Sequence, residues 1–199
     1  MPTNLIAANA AAVRATVPLT TDISPADLTR PTPCAGWDLR TLLAHMTSEH
    51  RSFAAAASGQ AIPERFPDPV RDYAAACDLV LTAFAAPDVL NREFTLTQLG
   101  PQPFPARQAI TFHLVDYVIH GWDLARSLDA AYIPDPAAMA ITLSVARAIP
   151  TDANREAPNA PFAPALPVPP DADPLTEALL LLGRNPAWSA TPQPSTPTT

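Results

Sequence analysis

Cysteine is nearly absent from this chain: Cys34 and Cys77 are the only two in 199 residues, and neither sits in a Cys-x-x-Cys pair. A disulfide framework is thereby excluded, and reduced thiols are the expectation. Long apolar runs are missing too. No stretch reaches the roughly 18–20 apolar residues that cross a bilayer, so no membrane partner is expected. The N-terminus lacks a basic segment followed by an apolar core, so no secretion signal is read and the location expected is cytoplasmic. Positive charge is scarce: 12 arginines and no lysine stand against 19 aspartates and glutamates, for a formal net charge of −7 and a pI near 4.9. With no broad basic surface to hold a phosphate backbone, nucleic acid is not expected as a partner and a small molecule is.

Apolar residues and proline are what the chain has in abundance. Hydrophobic residues make up 48% of it, enough for one substantial core at this length. Of the 26 prolines, 12 lie between Pro150 and Pro197, where they interrupt any long helix. The organisation expected is a helical bundle over residues 1–150, a Pro-rich segment with a short helix packed on it over 151–190, and a frayed tail over 191–199. The Pro-rich segment can pack across the bundle or toward a second copy of the chain, which leaves a homodimer open.

Apolar residues recur at helical intervals from Asn4 to Val17, with Pro18 as the stop. Asp38 is placed to cap a second helix from Leu39 to about Ala57, closed by Ser58-Gly59. Val70, Tyr73, Cys77, Val80, Leu81 and Phe84 mark a third helix, Ala106 to Leu128 a fourth, and Ala137 to Ile149 a fifth, while Leu175 to Gly183 reads as a short last helix. Between the third and fourth, Arg92 to Thr97 alternates like a strand and Gly100-Pro101-Gln102-Pro103 supplies a turn, so a small hairpin or loop is expected. The fold class predicted is all-α, an antiparallel four-helix bundle with short extra helices.

The chemistry concentrates in the fourth helix. His113, Asp116 and His120 are separated by three, four and seven residues and therefore stack along one flank of a helix. His45, among the leucines of the second helix, can face them, and the two helices then supply His, Asp and His. Two imidazoles and one carboxylate hold a divalent ion and leave a coordination position open; zinc is the first candidate, with nickel, iron and manganese compatible. His113 is either a further ligand or a group that touches a ligand or the substrate, and the role expected of it is acid or base. Tyr117 can donate to a substrate oxygen or pack in the core, and Asp123, three residues after His120, can orient an imidazole. Catalytic roles are thus expected of His113, Tyr117 and Asp123, and metal ligation of His45, Asp116 and His120. Cys34, Trp37 and Trp122 read as packing residues, and His50, between Glu49 and Arg51, as part of a solvated face. Glu49, four residues after His45, can point toward the cavity.

The run Pro31-Thr32-Pro33-Cys34-Ala35-Gly36-Trp37-Asp38-Leu39-Arg40 with Leu42-Leu43-Ala44-His45, taken together with Asp116 to Ala125, resembles the DinB-like superfamily of metal-binding proteins that includes the N-terminal part of mycothiol-dependent maleylpyruvate isomerase. Gly183-Arg184-Asn185-Pro186-Ala187-Trp188 resembles the C-terminal signature of its single-domain branch. The resemblance covers most of the chain and implies a four-helix bundle with a divalent metal held by His45, Asp116 and His120. It further implies a metal-dependent thiol S-transferase or thiol-assisted isomerase, with mycothiol as cosubstrate. Where the isomerase pattern has a glutamate, this chain has Asp116, one methylene shorter. Two other functions are compatible with the residues: a metal-independent isomerase or cyclase acting on a natural-product intermediate, and a non-catalytic metal- or ligand-binding module.

Overall fold

The computed structural model describes residues 4–60, 68, 70–151, 153–156 and 162–190; the tail expected over 191–199 lies outside them. The order of elements is α1 (Leu5–Thr20), α2 (Leu39–Ser58), α3 (Tyr73–Phe84), β1 (Glu93–Thr95), β2 (Pro103–Pro105), α4 (Ala106–Ser127), α5 (Pro136–Ala148) and α6 (Pro174–Leu181), with single 3-10 turns between several of them. Helix α1 packs on α4 and α2 on α3, α2 also lies against α4, and α5 and α6 pack in turn on that bundle. This is the helical bundle with short extra elements that the periodicity predicts. No helix among the described residues is long and apolar enough to cross a membrane.

Local chemistry sets the helix ends. The Asp38 carboxylate accepts from the Thr41 amide at 2.8 Å to start α2, and Gly59, with φ of 67°, closes it. Helices α5 and α6 each begin with an Asp-Pro pair, in which Asp135 or Asp173 accepts from free amides of the first turn and the following proline, lacking an N–H, leaves no donor unpaired. Both therefore start at the proline, one residue before the predicted start. Pro18 does not stop α1, which continues to Thr20 with the ring in its last turns. The ring removes the donor to the Arg14 carbonyl, and both residues are exposed, so that carbonyl is left open to solvent and not buried unpaired.

The hairpin pairs Glu93 with Pro105, Phe94 with Phe104 and Thr95 with Pro103. It is shorter than the alternation from Arg92 to Thr97 predicts, because the chain turns into a 3-10 segment at Thr97. Its buried Phe94 stacks on Phe84 of α3, with ring centroids 6.1 Å apart. Helix α4 runs through the centre: from Ile110 to Ser127 nearly every residue is buried, including His113, His120 and Asp123. Polar groups on such a helix need partners inside the protein, since burying them unpaired is costly.

Candidate metal centre

Asp116 and His120, four residues apart on α4, share one flank, and His45 of α2 faces them. His120 Nε2 lies 3.3 Å and His45 Nε2 3.9 Å from Asp116 Oδ1. One ligand atom from each of the three residues falls within 4.8 Å of the other two. The side chains of His45 and Asp116 are 30% and 33% exposed whereas that of His120 is 9% exposed, so the group is closed behind His120 and open in front. Burial alone would raise the Asp116 carboxyl, but the facing His120 and His45 imidazoles outweigh it and hold the group far below the usual carboxylate range. Burial likewise opposes the charged form of His120, yet Asp116 and Asp123 raise this imidazole well above its ordinary value. Asp116 Oδ2 is buried and has no hydrogen-bond partner among the described residues.

Behind His120 stands a second layer of polar groups. Its Nδ1 donates to Asp123 Oδ2 at 2.9 Å, which aims Nε2 at Asp116. Asp123 is fully buried and in turn accepts from Arg184, at 3.0 Å from Nε to Oδ1 and 3.1 Å from Nη2 to Oδ2. Burial works against the Asp123 charge, and His120 and Arg184 together keep the carboxyl below its ordinary value. Cys34 Sγ lies 3.2 Å from Asp123 Oδ2, 3.4 Å from Arg184 Nη2 and 3.8 Å from His120 Nδ1. Cys34, His120 and Asp123 thus form another set of metal-type donors, but the guanidinium already supplies the cation there. Trp37 stacks on His120 at a centroid distance of 6.1 Å and tilts over His45 at 5.0 Å. It is partly buried, packs against the core as its sequence position suggests, and also covers the imidazoles. Trp122 is buried, as expected of a packing residue.

Of the other residues singled out in the sequence, Asp123 belongs to this assembly, while His113 and Tyr117 are engaged elsewhere. Tyr117 is fully buried, its hydroxyl donates to the Met46 carbonyl, and its ring stacks on His50 at 3.9 Å. His113 Nδ1 pairs with Asn9 at 2.9 Å and Nε2 with His50 Nδ1 at 3.1 Å. Burial pushes the His113 imidazole down to about 3, which keeps it neutral, and lowers His50 likewise. With their polar atoms paired in the core, His113 and Tyr117 belong to a buried network apart from the His45, Asp116 and His120 group. His50 is fully buried and extends that network to Cys77 Sγ at 3.1 Å, which corrects its reading as a solvated face. The signal was present: His50 falls on the stripe Leu43, Met46, Phe53, Ala57, despite its charged neighbours. Glu49 turns toward the metal-type group; burial and the nearby Asp116 raise its carboxyl, and Gln98 donates to it at 3.1 Å. A separate cavity of about 590 Å³ between α1 and α3, lined by Arg14, Val17, Cys77 and Thr82 among others, shares no residue with the group.

The family described as the mycothiol maleylpyruvate isomerase N-terminal domain matches residues 9–125. Two uncharacterized proteins of Mycobacterium tuberculosis, MT0763 of strain CDC 1551 / Oshkosh and Rv0738 of strain ATCC 25618 / H37Rv, are each 30% identical to this chain over 155 residues, covering 77% of it and 83% of the relative. No solved structure matches the chain.

Proposed function

The chain belongs to the mycothiol maleylpyruvate isomerase N-terminal domain family, and from that membership we propose that it is a divalent-metal-dependent enzyme for a small molecule, working by thiol S-transfer or thiol-assisted isomerisation. The observation that carries this is the Asp116 carboxylate: its Oδ1 faces the Nε2 atoms of two imidazoles, and its Oδ2 is buried with no hydrogen-bond partner among the described residues. A nitrogen, nitrogen, oxygen donor set with one open side suits a divalent cation of the zinc class, which would be held by His45, Asp116 and His120. When bound, such an ion supplies Lewis acidity that lowers the pKa of a thiol or water. The thiol proposed is mycothiol, after the family's description.

The chain's own residues do the rest. Asp123 fixes the His120 ring so that Nε2 stays in front, and Trp37 keeps water from one side of both imidazoles. Glu49, close enough to Asp116, His45 and His120 to feel all three charges, is suited to take up a proton at its carboxylate from a thiol entering the open side. Elemental analysis of protein purified without added metal or chelator should find about one divalent ion per chain. His120→Ala should lose that ion and the turnover of thiol and electrophile pairs together. Turnover that survives in metal-free protein overturns the proposal, and a tightly held ion without turnover of any such pair reduces it to a binding module.

A further inference from the structure

Arg184 reaches the partner of His120, Asp123, from outside the bundle. It lies 61 residues beyond Asp123, in the turn that follows α6. How it gets there is set by the backbone. At the end of α6 the Gly183 amide donates to the Leu180 carbonyl at 3.1 Å and the Arg184 amide to the Leu179 carbonyl at 2.8 Å, the paired bonds of a Schellman ending with glycine in the left-handed region at φ of 77°. That reversal sends the Arg184 side chain back under α4. There its fork spans both Asp123 oxygens and reaches Cys34 Sγ, on the loop before α2. Arg126 makes a second tie to the same turn, donating from Nη2 to the Trp188 carbonyl at 2.5 Å.

We infer that Arg184 is a positioning residue for the candidate metal centre: by clamping both oxygens of Asp123 it fixes the carboxylate that orients His120, so that the last turn of the chain sets how well the His45, Asp116 and His120 group binds its ion. A carboxylate alone on a buried helix can rotate or share its two oxygens between acceptor directions, whereas a bidentate guanidinium permits one plane. Buried partners of metal-ligating histidines control ligand orientation and basicity, and their loss costs about 10- to 100-fold in metal affinity. No hydrogen bond joins Arg184 to His45, Asp116 or His120 among the described residues; its influence passes through Asp123, which it clamps, and through Cys34, which it also reaches.

The inference rests on the metal-centre reading for one of its two readouts and on the protein's own geometry for the other. Zinc affinity by competition with a chelator dye gives the first: Arg184→Ala should weaken it by about 10- to 100-fold, with the absorption bands of the cobalt-substituted protein altered. The second is the His120 Nδ1–H signal in nitrogen-15 NMR of metal-free protein, protected from exchange in the parent and lost or rapidly exchanging in R184A. Arg126→Ala, which unties the same turn without touching Asp123, should leave both near parent values. Parent-like zinc affinity and an unchanged Nδ1–H signal in R184A overturn the assignment, as does an R126A protein that loses as much as R184A. A parent protein that holds no zinc but loses the Nδ1–H protection in R184A keeps Arg184 as the positioning residue and overturns the metal proposal instead. Should R184A not fold, Arg184→Gln reads the same quantities, and parent values there overturn the inference.

Discussion

His120 has a carboxylate at each ring nitrogen, Asp116 in front and Asp123 behind, and the two make different demands. The front one is exposed on one side and has an oxygen without a hydrogen-bond partner among the described residues; the rear one is fully buried and bonded to His120, Arg184 and Cys34. Replacing Asp123 by Asn would leave Arg184 without its counter-charge inside the protein and set an amide N–H against two donors. Breaking a buried pair in this way costs about 3–5 kcal/mol. Urea denaturation of metal-free D123N should show a loss of at least about 3 kcal/mol, and a loss under about 1 kcal/mol would mean that water already reaches the pair. At this scale the sequence made some groups visible and hid others. Asp116 and His120 share a helical flank by spacing alone, and the Leu-Leu-Ala-His run put His45 on a helix that could face them. Cys34, Trp37 and Arg184 stood in the motifs that carry the family resemblance, but their contacts were not readable, since the partners lie far along the chain, 86 residues away for Cys34 and His120 and 150 for Cys34 and Arg184. No local pattern encodes such a meeting.

Among the elements, helix boundaries were the most legible feature, since caps and glycine stops act within a few residues. Asp38, Gly59 and Gly183 end or begin helices where the sequence places those signals. The prolines were harder: the same residue type starts α5 and α6 and rides inside α1, and only the solvent exposure of the Arg14 flank explains the last case. Gly183 carries two constraints together. Its backbone is left-handed, and a Cβ added there would stand 2.7 Å from both Ala163 Cβ and the Ala163 carbonyl oxygen. Gly183→Ala should therefore lose more than the about 1–2 kcal/mol of left-handed backbone strain. It should also reduce zinc affinity in the direction of R184A, because the turn it distorts delivers the guanidinium. Thermal denaturation and the chelator competition check both, and an unchanged midpoint would show that the turn can re-form without glycine.

The molecule as a whole sets His50 and His113 in one electrostatic regime and His120 in the opposite one, and that division predicts how stability follows pH. His50 and His113 are neutral in the fold because burial lowers them, His113 to about 3. Their contribution is complete above the ordinary histidine value of about 6.5 and is lost as pH falls, at about 1.4 kcal/mol per pH unit for each group that the unfolded chain protonates first. His120, raised by its two carboxylates, runs the other way: its contribution is complete below about 6.5 and is lost as pH rises through its folded value. Asp116 and Asp123, both lowered, add stability that persists until the pH falls below the ordinary carboxylate range. Metal-free protein should thus be most stable near pH 6 to 7 and weaken on both sides, as equilibrium denaturation across pH 4–9 would report. His113→Asn should flatten the acid side by about half between pH 5 and 6. A flat profile from pH 5 to 6.5 would mean that water hydrates the core histidines.

The ligand-type side chains are rooted in two helices locked into the core, while Trp37 rides on the preceding loop and Gln98 on the turn within the hairpin. Loops change readily without disturbing a core, and helices at its centre do not. Substitutions on that rim can therefore reshape the open side of the candidate metal centre without repacking the two helices that carry His45, Asp116 and His120.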